Sequence, residues 1–279
     1  MKTIRTDGKF FNPKDTLECG QIFRYKSIND GFLVQSSSKC CFLRSVNGAT
    51  EITFEDGDEE YFKKFFDLDS DYSGIVERAG KSEYEIVRTA AEKASGVRIL
   101  RQNLSETLFS FIISQNNMIP RIKAIIERTS AALGEKKSFM GEEYYSFPTA
   151  EALATKDADF YFKLGYGYRA DYIPAVANAI ESGEFDFSAD GLSTAELRKK
   201  LIALKGVGPK VADCVALFGY HRTDSFPVDT WIEKLYREDF GGEIKDRKKI
   251  AEFFTSRFGN DSGFIQQYIF YYKRSLLGK

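Results

Sequence analysis

The sequence predicts an α+β fold, with an N-terminal antiparallel β-sheet domain carrying some helices and an all-α domain after it. Two observations predict this. Up to about residue 57, short alternating runs of strand formers are interrupted by hairpin-type turns. From Glu59 onward the apolar period becomes helical, and almost everything beyond residue 100 keeps that period. Strands first and helices after point to two segregated parts, divided as residues 1–97 and 98–279.

The strand reading rests on Phe23, Tyr25, Phe32, Val34, Phe42 and Leu43, with breaks at Asn29-Asp30-Gly31 and Asn47-Gly48. Tyr61 to Phe66 and Tyr84 to Lys93 read as helices. Asn103, followed three residues later by Glu106 and then by an apolar run, reads as a capping-box-like helix start. Further helices are expected over 119–133, 149–155, 169–182, 194–204, 209–219, 229–239, 245–258 and 261–276. There is no internal repeat, low-complexity tract or long linker.

Composition narrows the chemistry. With 279 residues, 43% of them hydrophobic and 29% charged, the chain can bury a core and keep a wet surface. No apolar run approaches the ~20 residues of a membrane span. The start, MKTIRTDGKFF, lacks the apolar segment of a signal peptide. A soluble, monomeric, cytoplasmic protein without membrane contact is expected. Cys19, Cys40, Cys41 and Cys214 form neither a zinc spacing nor a disulfide framework. A single histidine, His221, argues against a Ser-His-Asp triad and a His-rich metal centre. No cofactor is implied, so the chemistry falls to lysine, carboxylates, amides or aromatics. The net charge of −1 counts modestly against nucleic acid, although only cations that face phosphates matter for such binding.

The most informative segment is Leu204-Lys205-Gly206-Val207-Gly208-Pro209-Lys210-Val211-Ala212-Asp213-Cys214. A helix ends near Leu204, Gly206-Val207-Gly208 makes a tight turn, and Pro209 suits the first position of a new helix. Such a turn lets backbone approach a ligand closely, and the free amides of the new helix attract an anion. A hairpin of this kind can grip one DNA phosphate without reading bases, though a plain αα corner would use the same residues. Lys210 lies in the first helical turn, whose positive end disfavours an ammonium, and an uncharged lysine attacks a sugar C1′ or an aldehyde. A solvated surface lysine is the alternative. Cys214, four residues on, shares its helix face. Nineteen residues beyond Lys210 comes Asp229, within Phe226-Pro227-Val228-Asp229-Thr230-Trp231. Asp229 reads as the N-cap of the next helix. Its carboxylate could also stabilise a deoxyribose cation as the base departs.

Together these residues resemble the helix-hairpin-helix DNA glycosylase superfamily: Leu-x-Gly-Val-Gly-x-Lys-Val-Ala-Asp-Cys, then Pro-Val-Asp about twenty residues later. Further segments are similar to the eukaryotic-type 8-oxoguanine DNA glycosylase family. They are Cys19 to Tyr25, Phe65 to Tyr72, Ser114 to Ile122 and Leu164 to Ala170, in the family's order. The resemblance implies double-stranded DNA containing 8-oxoguanine as partner and assigns Lys210 as the nucleophile with Asp229 as its supporting carboxylate. It further implies that the Gly20 carbonyl reads the N7 hydrogen of the lesion and that Cys214 and Phe270 sandwich the flipped base. Gln266 would read the Watson–Crick edge, with Pro227 beside it in the pocket. Asn116, Arg121 and Arg169 would hold the orphaned cytosine, Tyr168 would wedge the vacated stack, and Gly206, Val207 and Gly208 would meet the phosphate. A structural cation is implied at the carbonyls of Ile202, Leu204 and Val207.

One departure stands out. Trp231 occupies the position where eukaryotic members carry a histidine near the lesion's phosphate. The four-cysteine iron–sulfur loop of other superfamily branches is missing from the sequence, which sets aside the adenine-mismatch and oxidised-pyrimidine branches. Two rivals remain: an alkylated-base glycosylase, against which Lys210 argues, and a non-catalytic helix-hairpin-helix DNA-binding module.

Overall fold

The computed structural model describes residues 1–276. The N-terminal lobe runs β1 (Lys2–Asp7), α1 (Pro13–Glu18), β2 (Tyr25–Ile28), β3 (Gly31–Ser36), β4 (Lys39–Val46), β5 (Ala49–Phe54) and α2 (Glu59–Phe65). Its strands form one antiparallel sheet in the order β1-β5-β4-β3-β2. The predicted breaks do set the register. Asn47 and Gly48 both take positive φ and pair Val46 with Ala49, and Asn29-Asp30 pairs Ile28 with Gly31. The inner face packs Leu17, Val34, Leu43, Ile52 and Phe54 against Phe62, Phe65 and Phe66.

Helices dominate the rest of the chain. They are α3 (Tyr72–Gly80), α4 (Glu85–Lys93), α5 (Leu104–Ser114), α6 (Ile119–Leu133), α7 (Ala150–Ala154), α8 (Ala158–Lys163), α9 (Tyr172–Glu181), α10 (Thr194–Ile202), α11 (Pro209–Phe218), α12 (Thr230–Asp239), α13 (Arg247–Phe258) and α14 (Ser262–Leu276). The α+β reading is borne out: the sheet comes first and the helical part second. Residues of α3 and α4 join the large helical core with α5, α11 and α14.

Three local features differ from expectation. Helix α1 lies in the stretch that reads as strands, because Asn12 caps it through its side chain and Pro13 opens it. Helices α3 and α8 are not expected from the apolar pattern; Asp71 and Asp157 cap them from short polar segments. Beyond residue 100 there is also a hairpin, β6 (Lys136–Phe139) with β7 (Glu142–Tyr145), turned by Met140 and Gly141 at positive φ. It buries Phe139 and Tyr144 against Leu33, Cys40 and Phe42 on the sheet, so the helical half reaches back over the first lobe.

Buried polar groups lock the lobes together. Arg24 donates to Gln35, to the carbonyls of Ser37 and Tyr145, and to Glu106 of α5. Glu106 therefore spends its carboxylate on Arg24 and the Ser37 amide rather than completing a capping box, and Asn103 caps α5 alone. Asp67 holds His221 at 3.3 Å and Arg101 at 2.7 Å. Burial pushes the Asp67 carboxyl up, but His221 and Arg101 outweigh it and leave it below the usual range.

Candidate active site and DNA interface

The hairpin forms as the glycine pattern predicts, but its two glycines have different reasons. Gly206 has φ of +81°, and a Cβ there would lie 2.3 Å from the Tyr172 ring. Its need for glycine is internal. Gly208 has ordinary φ and nothing within 4 Å of a would-be Cβ. Its bare α-carbon faces open space, as a close-approaching external ligand requires. Beyond it the amides of Gly208, Lys210 and Val211 donate to no described residue, which leaves a helix start with free donors.

Lys210 projects from this first turn, with Nζ 5.1 Å from the Phe111 ring centroid on α5. No carboxylate among the described residues lies within 4 Å of it, so no ion pair ties up the amine. Cys214 is buried, and that burial pushes its thiol up to about 11, against the pull of the neighbouring Lys210. Asp213 and Asp229 also act on the thiol. Asp229 is the N-cap of α12: one oxygen, Oδ1, accepts the amides of Trp231 and Ile232, both at 2.9 Å. Oδ2 lies outside the cap. Lys210, Cys214 and Asp229 are thus gathered around one spot by the starts of two helices.

A separate group of candidate residues lies on the first lobe and on α14. Gly20 comes just after α1 with φ of +84°, and a Cβ there would meet Phe270 Cε1 at 3.4 Å and Arg274 Nη1 at 3.5 Å. The buried Gln21 anchors this turn: its amide nitrogen reaches the carbonyls of Thr16 and Arg98, and its oxygen accepts the Leu100 amide. Gln266 and Pro227 also meet, with the Gln266 amide 3.5 Å from the Pro227 carbonyl and its oxygen held by Gln267. Phe270 and Trp231 line an apolar cleft of about 140 Å³ between α12 and α14. Lys210 and Cys214 are not among the residues that line this cleft.

A second cluster surrounds the loop between α5 and α6. Asn116 is exposed at φ of +44°, and Tyr168 stands 55% exposed beside it, its hydroxyl 3.3 Å from the Gln115 carbonyl. Arg169 does not present the outward fork that a contact to cytosine would use. It is buried against the Tyr168 ring, and its guanidinium donates to the carbonyls of Tyr166, Gln115 and Asn116. Arg121 is exposed and makes one bond, 3.1 Å to the Gly165 carbonyl. Gln115, to which the motif assigns no role, donates to the Gly206 carbonyl at 2.8 Å and so ties this loop to the hairpin.

The carbonyls of Ile202 and Val207 accept no hydrogen bond from a described residue, while that of Leu204 accepts the Val207 amide. Uncharged backbone oxygens with lone pairs to spare suit a hard or monovalent cation, so the residues fit such a group. No cluster of three or more His, Cys, Asp or Glu that could hold a metal occurs among the described residues. No helix among them is long and apolar enough to cross a membrane.

The 8-oxoguanine DNA glycosylase N-terminal domain matches residues 3–108, and the HhH-GPD superfamily of base excision DNA repair proteins matches residues 109–259. The chain belongs to the 8-oxoguanine DNA glycosylase family of that superfamily. Among solved members, MBOgg1 in complex with a low-affinity DNA ligand is 36% identical with a TM-score of 0.93, covering 99% of this chain and 96% of that one. The Clostridium acetobutylicum 8-oxoguanine glycosylase/lyase, bound to double-stranded DNA with cytosine opposite 8-oxoguanine, is 33% identical with a TM-score of 0.90, covering 96% and 93%. The N-glycosylase/DNA lyase OGG1 of Arabidopsis thaliana is 32% identical over 192 residues, 64% of this chain and 53% of the plant protein. A probable N-glycosylase/DNA lyase of Methanothermobacter thermautotrophicus is 30% identical over 204 residues, with 66% and 65% covered. The chain thus spans about half to two thirds of these curated family members.

Proposed function

We propose that the chain is a bifunctional DNA glycosylase and abasic-site lyase that removes 8-oxoguanine paired with cytosine. The observation that carries this reading is the convergence of Lys210, Cys214 and Asp229 at two helix starts, next to a phosphate-type hairpin. The family's solved glycosylase/lyase, similar over nearly the whole chain, supports the substrate.

In this reading the hairpin amides hold a backbone phosphate and the lesion turns out of the duplex, at a cost of a few kcal/mol of unstacking. Tyr168 wedges beside the vacated stack, which offsets that cost, and Asn116 faces the orphaned cytosine. The base lies between Cys214 and Phe270, with Gln266 and the Pro227 carbonyl on its Watson–Crick edge. The Gly20 carbonyl accepts the N7 hydrogen. Guanine offers a lone pair there instead, so the undamaged base sets two acceptors against each other.

Lys210 Nζ then attacks C1′, and the C1′–N9 electron pair leaves with the base. The free oxygen of Asp229 faces the positive charge that develops on the sugar. The protonated secondary amine loses a proton, the sugar ring opens to a Schiff base, and loss of the C2′ proton expels the 3′ phosphate by β-elimination. A cation at Ile202, Leu204 and Val207 would fix the hairpin's curvature. The division of the chain near residue 97, a monomeric state and a cytoplasmic location, nucleoid-associated if the source is prokaryotic, belong to the same reading.

The test is single-turnover base release from duplexes carrying 8-oxoguanine or guanine opposite cytosine. Release of 8-oxoguanine alone is expected. No release, or equal release of guanine, would overturn the reading.

A further inference from the structure

Arg274 sits where the pocket roles above have no use for it. It lies one helical turn beyond Phe270 on α14, on the same face, with its guanidinium 5.5 Å from the Phe270 ring centroid. Its Nη1 comes within 3.5 Å of the position a Gly20 side chain would take. The residue is half-buried, and its one hydrogen bond to a described residue is a long one, 3.5 Å to the Glu18 carbonyl. No carboxylate among the described residues lies within 4 Å of it. A permanent cation with donors to spare is therefore held against the wall assigned to the lesion's imidazole edge.

We propose that Arg274 is a further residue of the lesion pocket, whose guanidinium faces O8 of 8-oxoguanine and stabilises the negative charge that collects there as the base leaves. The proposal rests on the glycosylase reading above. When Lys210 forms its bond to C1′ and the C1′–N9 bond breaks, the departing pair on N9 is conjugated with the C8 carbonyl and ends largely on O8. The carbonyls of Gly20 and Pro227, also assigned to this pocket, are acceptors and oppose a departing anion. Arg274 is the cation placed to offset them. The proton shed by the Lys210 adduct then neutralises the base, through water or directly. Because O8 is adjacent to the N7 hydrogen read by Gly20, one wall both recognises the lesion and assists its departure.

The experiment compares two steps in the full-length protein. One is single-turnover release of 8-oxoguanine opposite cytosine, and the other is strand cleavage at a preformed abasic site opposite cytosine. Arg274→Met is expected to slow base release on the order of a hundredfold, as loss of a preorganised oxyanion donor does. Abasic-site cleavage, which has no base to expel, should stay within about twofold and so certifies a folded, DNA-competent protein. Arg274→Lys should recover part of the base-release rate. The proposal is overturned if Arg274→Met releases the base at the unaltered rate, since the arginine would then only pack on Phe270. It is equally overturned if both steps fall together. If the unaltered protein releases no 8-oxoguanine, it is the glycosylase reading that fails, before Arg274 is tested.

Discussion

The Gln115 side chain donates to the Gly206 carbonyl at 2.8 Å, joining the exposed loop that carries Asn116 to the turn of the hairpin. The bond links the loop assigned to the orphaned cytosine with the hairpin assigned to the phosphate. Gln115→Ala removes that bond at a cost of about 1 kcal/mol, or roughly 2–4 °C in melting temperature. Its effect on base release should be larger than this, because a loosened loop no longer holds Asn116 in register with the gripped phosphate. Thermal melting beside single-turnover release checks the split. A fall in stability with unchanged release would reduce the bond to local packing.

Gly208 offers a cleaner probe of the hairpin. An added methyl meets nothing in the protein and requires no unusual backbone. Gly208→Ala should melt within a degree or two of the unaltered protein yet bind duplex DNA about tenfold more weakly, the size of one charge-assisted contact. The slope of affinity against salt should flatten as well. Equal affinity would mean that the hairpin does not approach a phosphate at this point.

Arg121 and Arg169 should separate by mutation. Arg121 is exposed and lightly held, so Arg121→Met should narrow the preference for cytosine over adenine opposite the lesion while largely sparing the cytosine-paired rate. The preference itself is expected at about ten- to a hundredfold, the cost of one mismatched contact. Arg169→Met removes the support of the Gln115 and Asn116 carbonyls and should lower the rate on every duplex. Release from four duplexes differing only in the opposite base distinguishes these outcomes. Equal rates on all four with the unaltered protein would remove Arg121 from partner recognition.

How far the sequence can be read depends on how the site is built. Leu204 to Cys214 and Pro227 to Asp229 are legible because each is a local device, a turn or a cap whose residues are contiguous. The hairpin turns at Asn47-Gly48 and Asn29-Asp30 are legible for the same reason. Helix α1 is not, since six residues carry too little period to stand out among strands. The inward use of Arg169 is hidden because two of its carbonyl partners, Gln115 and Asn116, lie more than 50 residues away. Arg274 against the Gly20 turn is hidden likewise, as that contact joins residues some 250 apart.

Asp213 supplies a pH test of the helix behind the nucleophile. Burial pushes its carboxyl up to about 6, and Arg198 at 2.7 Å pulls it back only in part. A raised carboxyl contributes stability that is fully present below about pH 4 and is lost as pH climbs through about 6. Asp213→Asn should therefore gain on the unaltered protein between pH 4 and 7, by about 3 kcal/mol at most. Urea midpoints across that range report the difference. Parallel curves would show that Asp213 keeps its charge throughout.

The mechanism turns on whether Lys210 forms the covalent bond to C1′. Borohydride reduction during reaction with a duplex carrying 8-oxoguanine opposite cytosine traps such a bond as a stable protein–DNA adduct. An adduct is expected with the unaltered protein and none with Lys210→Gln, which should still bind the same duplex. An adduct of equal yield from Lys210→Gln would take the lysine out of the chemistry.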